Sequence, residues 1–160
     1  MPLTTTTHLN FPGTARAALD FYQSVFGGQV IATTYGDLGM PPEAPDADKI
    51  VFGQLHADNG FQVMAYDIPG YTESFAGATR REHGVTITDR PFFLSVRGDT
   101  LAEITTYWNA LNESGTVVEP LAASAWAPGF GMLTDRFGVT WILDVQPAPQ
   151  ADGPWRVSAR

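Results

Sequence analysis

The sequence predicts an α+β fold in which one βαβββ unit occurs twice. Two segments, 14–26 and 100–111, place apolar residues on one face at helical spacing. Each is preceded by one short strand-like run and followed by three. The two halves share this pattern with little sequence identity. Because neither unit alone could cover its sheet, we expect both to pair into one curled mixed sheet, forming a single domain over residues 1–160.

The first module is predicted to span about residues 5–68. Its helix begins after Thr14 as N-cap and ends at Gly27-Gly28, where glycine terminates helices readily. The Asn59-Gly60 pair predicts a tight hairpin between the last two strands. The predicted strands are 7–11, 29–35, 49–56 and 61–67.

The second module is predicted to span about residues 91–146. Its helix begins with a capping box, in which Thr100 is followed three residues later by Glu103. The predicted strands are 92–97, 116–121, 131–134 and 139–145.

Three further segments lack this periodicity. Residues 36–48, with three prolines, predict a mobile loop, and residues 69–90 predict a crossing loop that serves as a connector or a lid. Residues 147–160 form a predicted tail of low order, in which Trp155 suggests docking on a partner subunit.

Composition excludes several functional classes. The chain has no cysteine, so disulfides, thiolate metal ligands and a cysteine nucleophile are excluded. A net charge of −8, without a basic stripe, argues against binding to nucleic acid. Neither an apolar run long enough to cross a membrane nor a secretory signal pattern is present, so we expect a cytoplasmic protein.

Two stretches carry a resemblance to a known family. The first is the run 9–15 (Leu-Asn-Phe-Pro-Gly-Thr-Ala) leading into the first helix, and the second is Trp-x-x-Gly-Phe-Gly-x-x-Thr-Asp-x-Phe-Gly-Val-x-Trp over residues 126–141. Together they resemble the PhnB-like branch of the vicinal oxygen chelate superfamily, which includes glyoxalase I, bleomycin-resistance proteins and extradiol dioxygenases. The resemblance covers about residues 5–146. It implies two half-cups that enclose a cavity, and a homodimer as a common state.

The resemblance also implies where a divalent metal would be held. Metal-dependent relatives take ligands from the first and last strands of each unit, and these positions correspond here to Thr6, Pro91 and Ile142. Such residues cannot assemble a divalent site, so no cofactor is expected and a metal is disfavoured. An unorthodox site remains open in which His8 and His56 combine with Asp67 or Asp144.

Strand parity predicts the lining of the cup. Side chains alternate across a strand, so Leu9 and Phe11 should pack on the helix while Thr6, His8 and Asn10 face the cavity. Trp141 and Leu143 should face the helices. The full predicted ligand-binding set is His8, Asn10, Phe52, Gln54, Met64, Tyr66, Phe93, Ser95, Arg97, Trp126, Phe130 and Ile142. Such mostly apolar walls with a few convergent polar groups are typical of a small-molecule pocket, and Arg97 would suit a carboxylate or phosphonate.

Three functions are compatible with these residues. The first is metal-independent binding of a small organic molecule, by sequestration or by acid–base chemistry at His8 with Asp144 or Asp67. The second is a metal-dependent lyase, isomerase or dioxygenase of glyoxalase type. The third is a non-enzymatic, dimeric interaction module.

Overall fold

The computed structural model describes residues 2–74, 78–123 and 127–147. The chain divides into two compact units, residues 1–78 and residues 79–160. Each unit contains one predicted module. The predicted tail from residue 148 onward, including Trp155, lies outside the described residues, as does Trp126.

Module one has the predicted βαβββ order. Its sheet has the strand order β1-β4-β3-β2, in which β1 and β4 are parallel and the other neighbours are antiparallel. The elements are β1 (Thr7–Phe11), α1 (Ala15–Phe26), β2 (Gln29–Thr34), β3 (Ile50–His56) and β4 (Gln62–Asp67).

The core of module one lies between α1 and one face of this sheet. Leu9 and Phe11 are buried there, which confirms the predicted parity of β1. Gly53 permits close packing of the helix, since a Cβ at this position would lie 2.6 Å from Leu19 Cδ1. The helix contributes the fully buried side chains of Leu19 and Tyr22. The opposite face of the sheet is therefore the one available to a ligand.

Module two repeats the same topology. Its sheet has the order β7-β10-β9-β8, again with the first pair parallel and the others antiparallel. The elements are β7 (Leu94–Gly98), α2 (Leu101–Leu111), β8 (Thr116–Ala122), β9 (Phe130–Thr134) and β10 (Thr140–Val145). Two four-stranded mixed sheets, each with one helix, confirm the predicted α+β fold class. The prediction of one curled sheet is wrong, because the described strands of the two modules are hydrogen-bonded only within their own module.

The core of module two also follows the predicted parity. Trp141 and Leu143 are fully buried. Gly131 lies against the ring of Trp108, where a Cβ would approach the ring to 2.7 Å. The helix–sheet contact therefore depends on a small residue in both modules.

The predicted crossing loop contains a hairpin that the sequence did not indicate. Strands β5 (Arg80–Glu82) and β6 (Val85–Ile87) pair antiparallel, and the hairpin belongs to the second unit. The two turn residues, His83 and Gly84, have φ values of 51° and 76°. Positive φ at both positions is the requirement of a tight hairpin turn, but histidine at the first position is not its usual signal.

The loop over residues 36–48 is more structured than predicted. Residues Gly36–Leu38 form a 3₁₀ turn. The Thr34 amide donates to Asp37 Oδ2 at 2.9 Å, and the Asp37 amide donates to Thr34 Oγ1 at 3.1 Å. The hydrogen bond from the Thr34 amide to the carboxylate, supported by the Thr34 side chain, lowers the pKa of Asp37.

The two helices begin differently. In α2, Thr100 Oγ1 accepts from the Glu103 amide, as predicted, whereas the Glu103 side chain accepts from the Asp99 amide and not from that of Thr100. In α1, Thr14 occupies the N-cap position but makes no capping hydrogen bond with its side chain. Asp67, at the end of β4, accepts the Ala15 amide instead. Neither helix is long and apolar enough to cross a membrane, within the ranges that the structure describes.

Candidate functional site

The open face of the sheet in module one carries the predicted cup residues of that module. The register pairs His8 with Met64, Asn10 with Tyr66, and Gln54 with Met64. Residues that pair directly across neighbouring strands point to the same side. The face therefore collects six predicted residues: His8, Asn10, Phe52, Gln54, Met64 and Tyr66.

His8 is oriented by its neighbours on this face. Its Nδ1 lies 3.2 Å from Asn10 Oδ1, and its ring lies 5.7 Å from the ring of Tyr66. An amide oxygen can only accept, so this contact is a hydrogen bond in the tautomer that carries its proton on Nδ1. In the neutral ring the lone pair then lies on Nε2, which is the atom free to accept a proton.

We expect neutral His8 to carry its proton mainly on Nδ1, the less common tautomer in solution. Long-range ¹H–¹⁵N correlation spectra at alkaline pH measure this directly. In Asn10→Ala the acceptor is lost, so the His8 pattern should change to that of an Nε2–H ring. His56, which is exposed, is the internal reference. An unchanged His8 pattern in Asn10→Ala would show that Asn10 does not set the tautomer.

The same face exposes apolar surface. Phe52 is 39% exposed and Ile31 is 61% exposed. Ile31 on β2 pairs with Gln54, and it was missed in the sequence because β2 alternates weakly between apolar and polar residues. Exposed large apolar side chains grouped on one sheet face indicate an interaction surface more than scattered ones do.

Module two places a second group on the corresponding face of its own sheet. The register pairs Ser95 with Ile142, Arg97 with Asp144, and Asp144 with Phe130. Phe93 precedes β7 and is half-buried. Of the residues predicted from this module, the sheet therefore brings together Ser95, Arg97, Phe130, Ile142 and Asp144.

Arg97 and Asp144 form a forked ion pair. Arg97 Nη2 lies 2.7 Å from Asp144 Oδ2, and Nε lies 3.1 Å from both carboxylate oxygens. The Asp144 side chain is 6% exposed and that of Arg97 is 57% exposed. The hydrogen bonds to Asp144 raise the pKa of Arg97. The pair occupies Arg97 Nε and Nη2, so Asp144 could act as a base only after the pair opens, whereas Arg97 Nη1 takes no part in it.

The hairpin β5–β6 covers part of this second face. The Arg81 guanidinium lies 5.4 Å from the centroid of the Phe130 ring, its Nη1 donates to Thr86 Oγ1 at 2.9 Å, and its Nε lies 3.3 Å from Glu119. Thr86 Oγ1 also contacts Met132 Sδ. Sequence reasoning missed these contacts, and the only available signal was the doublet Arg80-Arg81 in the crossing segment.

Asp67 does not belong to the open face of module one. It is 2% exposed, its Oδ1 accepts the Ala15 amide and its Oδ2 accepts the Ile50 amide, both at 2.9 Å. The interpretation of Asp67 as a partner for His8 is therefore wrong. The cause is parity, since Asp67 continues the helix-facing series of Val63 and Ala65.

The donor set does not fit a divalent metal. Among residues 2–74, 78–123 and 127–147, no three histidine, aspartate or glutamate side chains are grouped closely enough to hold one. Threonine, proline and isoleucine occupy the positions that the family resemblance assigns to ligands, and His56 lies at the end of β3 paired with Gln62.

Known proteins share this architecture. The sequence model of the Glyoxalase/Bleomycin resistance protein/Dioxygenase superfamily matches residues 8–143. Protein YjdN of Escherichia coli K12 is 26% identical, over 91% of this chain and 95% of its own length.

Two solved structures share the fold over nearly their whole length. Protein PA1353 from Pseudomonas aeruginosa is 34% identical with a TM-score of 0.71, covering 91% of this chain and 98% of that one. The PhnB protein from Bacillus cereus, described as a putative 3-demethylubiquinone-9 3-methyltransferase, is 24% identical with a TM-score of 0.66, covering 90% and 100%. The likeness to the latter shows the fold alone. The match of the family model over most of the chain establishes that this protein belongs to the glyoxalase/bleomycin resistance protein/dioxygenase superfamily.

Proposed function

We propose that the protein binds a small organic molecule, without a metal, on the open face of module one. The observation that carries this proposal is the grouping of Phe52, Met64 and Tyr66 around the hydrogen-bonded pair His8–Asn10. Apolar walls with a few oriented polar groups are the usual composition of a small-molecule site.

The chemistry of this face favours a ligand with an aromatic ring and an oxygen substituent. Phe52 and Tyr66 offer ring surface for stacking, and Met64 offers a polarisable sulfur. The amides of Asn10 and Gln54 can donate or accept, and His8 Nε2 can accept a phenolic or enolic proton. A phenol or a β-dicarbonyl compound meets these requirements better than a purely aliphatic molecule.

Two outcomes are compatible with such a site, namely sequestration of the ligand and acid–base conversion by His8. They differ in the effect of His8→Gln, which retains a hydrogen-bonding group but cannot serve as a base near neutral pH. In sequestration, binding survives this change and no product forms with either protein. In conversion, product formation is lost while binding persists.

We expect Phe52→Ala to weaken binding of p-cresol and catechol about tenfold, because one wall of the stacking surface is removed. Titration of ¹⁵N-labelled protein followed by amide shifts gives both the affinity and the location. Shifts should be confined to the strands β1, β3 and β4. The matched control is Phe92→Ala, since Phe92 is 53% exposed and lies in module two.

The result that overturns the proposal is an absence of localised shifts up to millimolar probe concentration, or equal weakening by Phe52→Ala and Phe92→Ala. Metal analysis of chelator-free protein separates the metal-dependent alternative. About one divalent ion per chain would contradict the metal-free assignment. Probe-independent self-association that depends on Phe52 would favour the interaction module instead.

A further inference from the structure

A second cleft lies in module one, away from the open face. It has a volume of about 480 Å³ and is formed where α1 begins, beside the ends of β2 and β4 and the start of β3. Its lining residues are Gly13, Arg16, Ala17, Asp20, Thr34, Asp48, Lys49 and Asp67. None of them belongs to the six residues of the open face. The volume lies in the range of about 300–1,000 Å³ that is typical of small-molecule sites.

The cleft contains two cations without a direct ion pair, although the charge of Arg16 acts at longer range on Asp37 and helps to lower the pKa of that carboxyl. Within the described ranges, neither Arg16 nor Lys49 has a carboxylate oxygen within 4.0 Å. This is notable for Arg16, because Asp20 lies one helical turn further along α1, at the spacing where ion pairs form. The side chains of Asp20 and Asp48 likewise form no ion pair there. The cleft thus contains positively and negatively charged side chains that form no ion pairs with each other.

Lys49 is held at the cleft by local backbone geometry. Gly13 has a φ of +93°, and a Cβ at this position would lie 3.6 Å from Lys49 Nζ and Cε. The lysine stem therefore passes over a residue without a side chain, and Lys49 is half-buried. Partial burial makes an ion pair formed at this position stronger than one formed at a fully exposed lysine.

The Ala15 amide at the start of α1 is not available to a ligand. The Ala15 amide already donates to Asp67 Oδ1, and both oxygens of this buried carboxylate are occupied by backbone amides. Asp67 therefore forms one wall of the cleft as a buried carboxylate that already accepts a backbone amide on each oxygen. The groups left to contact a ligand are two cationic side chains, Arg16 and Lys49, and two exposed carboxylates, Asp20 and Asp48.

We propose that this cleft binds a small zwitterion, such as an amino acid with separated charges. The anionic end would be held by Arg16 and Lys49, and the ammonium end by Asp20 and Asp48. A simple anion would meet two carboxylates and a simple cation would meet two basic groups, so only a molecule with both charges matches the cleft. This site is independent of the one proposed on the open face.

The test uses β-alanine and 4-aminobutyrate as probes, titrated into the ¹⁵N-labelled full chain. Saturable amide shifts are expected at Gly13, Arg16, Ala17 and Lys49. Acetate and ethylamine, which each carry one of the two charges, should bind at least about tenfold more weakly. Lys49→Gln and Asp48→Asn should each weaken binding of the zwitterions about tenfold, since each removes one charge-assisted contact.

Two control variants make the result specific. Arg80→Gln removes an equally charged but more exposed side chain from hairpin β5–β6 and should leave the affinity unchanged. Phe52→Ala should also leave it unchanged, which separates this site from the open face. The proposal is overturned if acetate binds as well as β-alanine, if ethylamine does, or if no localised shifts occur. Retention of the remaining spectrum shows that each variant is folded.

Discussion

Replacement of Asp67 by alanine is expected to lower the free energy of unfolding by about 4 kcal/mol. The Asp67 carboxylate is 2% exposed and accepts the Ala15 amide at the start of α1 and the Ile50 amide at the start of β3. Removing it leaves two buried N–H groups without an acceptor, and each such group costs about 1–3 kcal/mol. Since small domains are stable by only about 5–15 kcal/mol, this loss is a large part of the total.

Urea denaturation followed by circular dichroism measures this change. Asp20→Ala is the matched control, because Asp20 is also an aspartate of module one but is exposed on α1. Its effect should stay within about 0.5 kcal/mol. A loss below about 1 kcal/mol in Asp67→Ala would mean that water or Thr14 replaces the lost acceptor. In that case Asp67 would not be what joins α1 to the sheet.

The position of Asp67 on the helix side of the sheet also means that it cannot serve as the partner of His8. A carboxylate that satisfies two backbone amides on the helix side of the sheet cannot also orient a histidine on the other side. The residue that does orient His8 is Asn10, a neutral acceptor on the same strand. His8 is thus positioned by a neutral side chain on its own strand and not by a carboxylate on β4.

The fold could be predicted because local signals agreed in both halves. Helical spacing, the glycines after α1 and the capping residue Thr100 placed both helices within one residue of their observed starts. The hairpin β5–β6 could not be predicted in this way. Its strands have three residues each, and its turn uses His83 at a positive φ that this residue adopts less readily than asparagine.

The open faces were predicted because strand parity is a local property. Alternation along β1, β3 and β4 was sufficient to group the six residues of module one. Prediction of the ion pair between Arg97 and Asp144 would also have required the strand register. These residues are far apart in sequence and meet only where two parallel strands pair. Parity places both on one face, but it does not indicate that they lie directly opposite. The sequence therefore did not indicate that the Arg97 guanidinium is bound to Asp144.

Asp135→Ala is the second substitution with a large expected effect, about 4 kcal/mol on the free energy of unfolding. Asp135 Oδ1 accepts the amides of Phe137 and Val139, and Oδ2 accepts from Trp141 Nε1 at 2.8 Å. Gly138 supplies the positive φ of the same turn. Asp135, Gly138 and Trp141 of the motif over residues 126–141 therefore belong to one turn that is organised around a buried carboxylate. This part of the motif therefore builds the β9–β10 hairpin.

Urea denaturation and tryptophan fluorescence together measure this effect. The lost acceptor leaves Trp141 Nε1–H buried and unsatisfied, so the emission of the folded protein should change along with its stability. Asp58→Ala is the control, since Asp58 is an exposed aspartate in the turn between β3 and β4. It should alter neither measurement. If Asp135→Ala were instead as stable as the parent, the turn would hold its shape through the backbone and Gly138 alone.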